Sequence, residues 1–145
     1  MAPLVTNQVK LGLLNRSLDL TIGTFYAHLV TTAPTDPTAT TAANLIIAAG
    51  GNYAPRILAD SVFTLIAETN TAIWKFTNPV WNTLTTNYST NGTATIKGMA
   101  VCKQAAASPA LTDLFLCYSD IPVPYPPNGA NFTVQIPNNG VLYLL

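Results

Sequence analysis

Short apolar runs alternate with turns along this chain, and the runs have the length and composition of β-strands. Residues 24–31 are rich in β-branched and aromatic side chains, which is typical of a central strand. Residues 62–67 and 71–76 flank a polar triplet, a spacing that predicts a β-hairpin. Further strands are predicted at 53–58, 93–103, 113–118, 132–136 and 141–145.

Prolines divide the pattern at several places. Pro55 restricts the run 53–58 to an edge strand or a strand entry, because proline cannot donate to a ladder. Residues 32–41 contain two prolines among Thr and Ala and predict an exposed contact loop. Residues 121–129 contain four prolines, so we expect them to run over the surface as extended, polyproline-like chain outside any central ladder.

The whole pattern predicts about eight or nine strands without long intervening helices. This order is typical of an all-β fold, an antiparallel β-sandwich or jelly roll in one domain. We assign that domain to residues 16–145. Residues 1–15 precede it as an N-terminal arm or a short helix, since apolar side chains recur there at helical spacing.

Charge is scarce: 8% of the 145 residues are charged, and six basic and six acidic side chains cancel. Ordinary domains have about 25%, so Thr, Asn and Ser must cover most of this surface. Such a surface packs against protein at small desolvation cost, which favours a building block of an assembly. The same balance argues against nucleic-acid partners and against membrane binding. The first residues lack a signal-peptide pattern, so we expect the protein to be made and assembled in a cytoplasm.

Residues suited to catalysis are few and scattered. His28 is the single histidine and lies within the predicted central strand, where we expect it to be hydrogen-bonded in the sheet or at an interface. The carboxylates stand singly near turns, and no spacing typical of a metal or phosphate site occurs. We therefore expect no enzyme activity, no catalytic residue, no metal and no cofactor.

Two cysteines, Cys102 and Cys117, fall on two predicted strands that we expect to pair. They would then lie almost opposite one another, either as two buried thiols or as a disulfide formed after release into an oxidising medium.

Two sets of surface residues are candidates for binding. Aromatic side chains in a loop can stack on sugar rings, so Trp81 and Tyr88 are candidate glycan contacts. The proline-rich segments suit contact with a protein partner. The candidate partner contacts are Pro34, Asp36, Pro37, Pro122, Pro124, Tyr125, Pro126 and Pro127.

The order of these segments resembles a family of small structural proteins of tailed bacteriophages. The resemblance is carried by residues 18–20, 24–31 and 51–56, by 94–101 and 114–120, and by the ending 131–142. It implies a virion protein, a capsid cement or decoration protein on the phage head whose partners are the major capsid protein and further copies of itself, as a homotrimer. The alternative function is a head- or tail-fibre or adaptor module that binds a host receptor or glycan.

Overall fold

The computed structural model describes residues 4–59, 61–66, 71–85, 95–105, 109–125, 128–136 and 142–144. Within these residues the chain forms one eight-residue α-helix, one 3-10 turn at Ala42–Asn44 and ten strands of two to twelve residues. The elements are β1 Leu4–Val5, α1 Asn7–Leu14, β2 Phe25–Val30, β3 Arg56–Ile57, β4 Val62–Ile66, β5 Thr71–Lys75, β6 Val80–Trp81, β7 Ile96–Lys103, β8 Leu114–Tyr125, β9 Phe132–Thr133 and β10 Leu142–Leu144.

The strands form three antiparallel sheets, so the predicted all-β antiparallel fold is confirmed. The largest sheet has the order β1-β8-β7-β2-β3, the second β10-β5-β4, and the third β6-β9. The predicted hairpin is the pair β4–β5, in register from Val62 opposite Lys75 to Ile66 opposite Thr71. Sheets of five, three and two strands do not confirm the jelly-roll alternative.

An aromatic cluster packs the smaller sheets against one face of the large sheet. The ring of Phe25 on β2 meets the edge of Trp74 on β5 at 4.9 Å between ring centres, and Trp74 meets Phe76 at 4.5 Å. Trp81 and Phe132 extend the same core from the third sheet. Aromatic pairs of this kind contribute about 0.5–1.5 kcal/mol each beyond the area they bury.

The opposite face of the large sheet is covered mainly by irregular chain. Ala39, Ala42 and Leu45 pack there against Val30 and Phe115. The predicted exposed loop therefore turns inward at Ala39 and becomes part of a second core. The reason is physical: every residue of β2 is buried, so the sheet is apolar on both faces and both must be covered.

The N-terminal segment is part of the fold, because residues 7–14 form α1 and β1 pairs with the edge of β8. Thr6 caps the helix by accepting a hydrogen bond from the Val9 backbone N–H at 3.4 Å. Val9 is fully buried in the same core as Trp74. The helix alternative is thus the observed one, and the segment is no free arm.

The proline-rich segment differs from the prediction. β8 continues to Tyr125, which pairs with Ile96 on β7, so this end of the segment does join a ladder. The neighbouring pair is Gly98 opposite Asp120. From one pair to the other, β7 spans two residues and β8 spans five. The resulting bulge accommodates the intervening prolines, because bulged residues need not donate hydrogen bonds to the partner strand.

We expect Gly98→Ala to destabilise the fold. A Cβ at Gly98 would collide with the Ser119 carbonyl oxygen and with the Tyr118 ring. That ring cannot easily move, because its hydroxyl donates a 2.7 Å hydrogen bond to the Asp120 carboxylate. Urea unfolding should report a loss of about 1–3 kcal/mol. Lys97→Ala, at the exposed neighbouring position, should stay within about 0.5 kcal/mol of the wild type; equal effects at both positions would contradict this account.

Candidate binding cleft

Two separate segments cover the outer edge of β2. β3 pairs with its first half, and residues 46–48 hydrogen-bond to its second half. There the Ala48 backbone N–H donates to the Leu29 carbonyl at 2.8 Å, and the Thr31 N–H donates to the Ile46 carbonyl at 3.0 Å. The two segments therefore meet the same strand edge at different places, with a junction between them.

The chain leaves the strand edge at this junction. Gly50 and Gly51 both have positive φ, 73° and 57°, a conformation that glycine adopts without strain. A Cβ at Gly51 would also collide with the Thr85 backbone. Beyond the turn the Tyr53 hydroxyl accepts the Leu29 N–H at 3.0 Å, so a side chain replaces a missing ladder bond. A cleft opens where the backbone cover is interrupted.

The cleft has a volume of about 600 Å³ and lies over the second face of the large sheet. It is lined by residues 45–49, by Pro55 and by residues 109–111, all of them aliphatic or proline. Among the described residues, His28 is the single polar side chain in the lining, and it is only 3% exposed. Ile46 and Leu111, 45% and 63% exposed, form its rim. The cleft is thus apolar, uncharged and open to solvent.

His28 has no hydrogen-bond partner among the described residues, and both of its ring nitrogens are buried. The expectation that it is hydrogen-bonded within the sheet is therefore wrong. The physical reason is its position at the junction, where the surrounding side chains are aliphatic. Burial lowers the pKa of His28, while the Asp113 carboxylate acts in the opposite direction. The imidazole is therefore neutral at neutral pH, with one donor and one acceptor unmet.

The Asp113 carboxylate makes no hydrogen bond to His28. This carboxylate is fully buried and accepts the backbone N–H groups of Ala105 at 2.9 Å and Ala110 at 3.1 Å. These bonds hold one wall of the cleft in place. The role of Asp113 is thus to fix the chain at Ala110.

The other described carboxylates also serve local structure. Asp19 and Asp36 each accept two hydrogen bonds from the threonine two residues later, and these bonds lower the pKa of both groups. Asp120 accepts from the Tyr118 hydroxyl. No group of three His, Cys, Asp or Glu side chains suited to a metal ion occurs in the described part of the chain. The described acidic groups therefore form turns and contacts, and no pair of them faces a groove.

Cys102 and Cys117 are both buried and both free. Their strands do pair, but Cys102 lies opposite Phe115 and Cys117 opposite Val101, across a register shift. Paired residues share a face, so the two cysteines belong to the two opposite cores. The expectation that they lie almost opposite one another is wrong, because the register shift places them on different faces, and of the two alternatives the buried free thiols are the one observed. Burial raises the pKa of Cys117 to about 12 and the pKa of Cys102 further.

The predicted partner contacts are divided by the structure. Asp36 and Pro37 are exposed and Pro34 is half-buried, so this short turn is accessible. The Pro37 carbonyl accepts the Asn7 N–H at 2.8 Å, which ties the turn to α1. Pro122, Pro124 and Tyr125 lie in β8, and their side chains fall outside the described residues, as do Pro126 and Pro127.

Trp81 is not available for glycan stacking. It is 1% exposed, its ring packs beside Phe132, and its indole N–H donates to the Ala54 carbonyl at 2.8 Å. Its place in the apolar core explains why the prediction for this residue is wrong. Tyr88, the other predicted glycan contact, lies outside the described residues.

The cleft itself was not predicted from the sequence. Its walls come from segments far apart in the chain, and the apolar run 44–49 is the one local feature of the sequence that indicates a wall.

No family model, curated protein or solved structure matches the chain. In the described residues, no helix combines the length and apolarity required to cross a membrane.

We expect both thiols to be inert in the folded protein. Burial and the raised pKa values keep them protonated and inaccessible to alkylating reagents near pH 8. Mass spectrometry after iodoacetamide treatment should detect labelling at both positions only in denaturant, without prior reduction. Failure to label in denaturant until a reductant is added would reveal a disulfide and contradict the free thiols.

We also expect stability to fall as the pH drops below about 6.5. His28 has its ordinary pKa near 6.5 when unfolded and a lower one when folded, so the unfolded state takes up the proton first. Urea unfolding between pH 7 and 5.5 should show a slope of at most about 1.4 kcal/mol per pH unit. His28→Leu should flatten this slope; an equally steep slope in the variant would assign the effect to other groups.

Proposed function

We propose that this protein is a virion structural protein, a capsid cement or decoration protein that bridges neighbouring major capsid subunits on a phage head. One observation carries the proposal: apolar side chains surround an uncharged cleft, on a protein whose described carboxylates form hydrogen bonds within its own fold. The sequence resemblance to small phage structural proteins points the same way. In this role the protein acts as a homo-oligomer, a trimer, in many copies on the head surface.

The proposed contact is the cleft-side surface, which we define as Ile46 and Leu111, the cleft that they rim, and Ile57 on the edge strand β3. Ile57 is 63% exposed and pairs with Tyr26, two residues from His28 on the same face of the sheet. Full burial of one such aliphatic side chain contributes about 1.5–3 kcal/mol. Many weak contacts of this kind, repeated over a head, would tie capsid subunits together against internal pressure.

The alternative, a fibre or adaptor module that binds a host receptor or glycan, lacks the support of Trp81, which is buried. Position in the virion distinguishes the two functions. Quantitative mass spectrometry and labelling of purified virions should find hundreds of copies over the head for a cement protein. A few copies at a vertex or on the tail would instead support the fibre or adaptor module.

We expect Leu111→Ser to weaken binding to purified heads about tenfold, because it removes an exposed apolar contact worth roughly 1.4 kcal/mol. Leu14→Ser is the matched control. Leu14 is 84% exposed, and its helix packs on the other core. The control should bind like the wild type. Occupancy would be read by densitometry of sedimented heads at several protein concentrations.

The same assay tests the charge argument. Since few ion pairs are available to be screened, binding should change little between about 0.1 and 0.5 M salt. Equal loss in both leucine variants, or steep weakening with salt, would contradict the cleft-side surface as the contact.

A further inference from the structure

We propose that residues 45–49, which we call the strap, are released from the edge of β2 when the His28 imidazole takes up a proton. This inference goes beyond the proposed function, because it concerns the response of the isolated chain to acid. It stands on three observations: the burial of His28 beside the strap, the few bonds that join the strap to β2, and the separate anchors at the two ends of the strap.

The burial of His28 makes its protonation costly while the strap is in place. The side chain is 3% exposed, and neither ring nitrogen has a hydrogen-bond partner among the described residues. An imidazolium has two N–H donors and a positive charge, and a buried ion without partners loses its hydration uncompensated. Proton uptake therefore favours a state in which the ring meets water. Since the strap lines the same cleft as His28, its release gives the ring access to water.

The groups around His28 offset this cost only in part. The strap, residues 109–111 and Pro55 carry no titratable side chain. The titratable groups that share the His28 face of the sheet or act on it are Tyr26 on β2, Cys102 on β7, Tyr118 and Asp120 on β8, and Asp113 just before β8. Burial lowers the pKa of His28, and the charge of Asp113 opposes this effect without cancelling it.

The strap is joined to β2 by few bonds. The Ala48 N–H donates to the Leu29 carbonyl at 2.8 Å, and the Thr31 N–H donates to the Ile46 carbonyl at 3.0 Å. The Thr31 hydroxyl adds a bond to the same carbonyl at 3.3 Å. Leu45 and Ala48 are the buried side chains of the strap. Release of the strap therefore costs far less than unfolding of the sheet.

Both ends of the strap are anchored without the help of β2. Before it, the Ala42 N–H donates to the Asp113 carbonyl at 2.9 Å. After it, the Asn52 side chain donates to the Thr83 carbonyl at 2.8 Å and accepts the Thr85 N–H at 2.8 Å. The two glycines between the strap and Asn52 have positive φ, and glycine has the freedom to change this geometry. The opening is thus confined to the strap.

Amide hydrogen exchange, measured by NMR on the full chain, tests this opening residue by residue. The reporter is the Ala48 N–H, which the strap holds on β2. The matched control is the Leu58 N–H, which donates at 2.9 Å to the Phe25 carbonyl on the same strand but lies outside the strap. Exchange rates are corrected for the pH dependence of intrinsic exchange.

Between pH 7 and 5.5 the opening constant of Ala48 should rise about tenfold. In the open state His28 has its ordinary pKa near 6.5, and in the closed state a lower one, so the open state takes up the proton first. Because a local opening exposes little surface, this constant should change little with urea below about 1 M. The Leu58 N–H should stay the better protected of the two at both pH values.

Two variants complete the test. His28→Leu should remove the pH dependence at Ala48. Thr31→Val keeps His28 and removes the hydroxyl bond to the Ile46 carbonyl, so the strap should open several-fold more often at both pH values with the pH dependence unchanged. This second variant and the urea dependence keep the test decisive if His28→Leu fails to fold.

Three results would overturn the proposal. One is an Ala48 opening constant that does not rise between pH 7 and 5.5. Another is an equal rise in His28→Leu. The third is a urea dependence at Ala48 as steep as that of global unfolding, which would mean that acid opens the whole fold and not the strap.

Discussion

Burial of β2 on both faces is the constraint from which the rest of the structure follows. Phe25, Ala27 and Leu29 point into the aromatic core, and Val30 points into the second core. An antiparallel sheet ordinarily leaves one face to solvent, but here both faces must be covered. The smaller sheets cover the first face through Trp74. Irregular chain must cover the second.

That irregular cover explains the cleft. Irregular chain follows a strand edge only where its own backbone groups find partners, and here residues 46–48 do so while Gly50 and Gly51 turn away. The cover is therefore discontinuous at the middle of β2. His28 lies at that point. Its position in β2 buries the ring, and the gap in the covering chain leaves both ring nitrogens without a hydrogen-bond partner among the described residues. The cleft thus results from the fold.

Local composition was enough to predict β2, the β4–β5 hairpin and the edge strand at Arg56–Ile57, because strand preference and turn spacing are short-range properties. The failures involve long-range geometry. One register shift between β7 and β8 sends Cys102 and Cys117 to opposite faces, and no local pattern encodes a bulge. The inward turn at Ala39 and the burial of Trp81 also depend on long-range packing, because each residue lies in a core formed by distant segments of the chain. The cleft was missed for the same reason.

Few residues of this chain are charged, and the described aspartates form hydrogen bonds within the fold. The Asp113 carboxylate accepts hydrogen bonds from two backbone N–H groups, and the carboxylates of Asp19 and Asp36 accept them from neighbouring threonines. Among the described residues no charged side chain lines the cleft, so recognition at the cleft-side surface would rest mainly on apolar area. Natural sequences tend to break the rules of good packing at functional positions. A buried, unpaired His28 is such a break, and it lies where apolar side chains remain exposed. The two departures coincide in space, and for that reason we place function at this cleft.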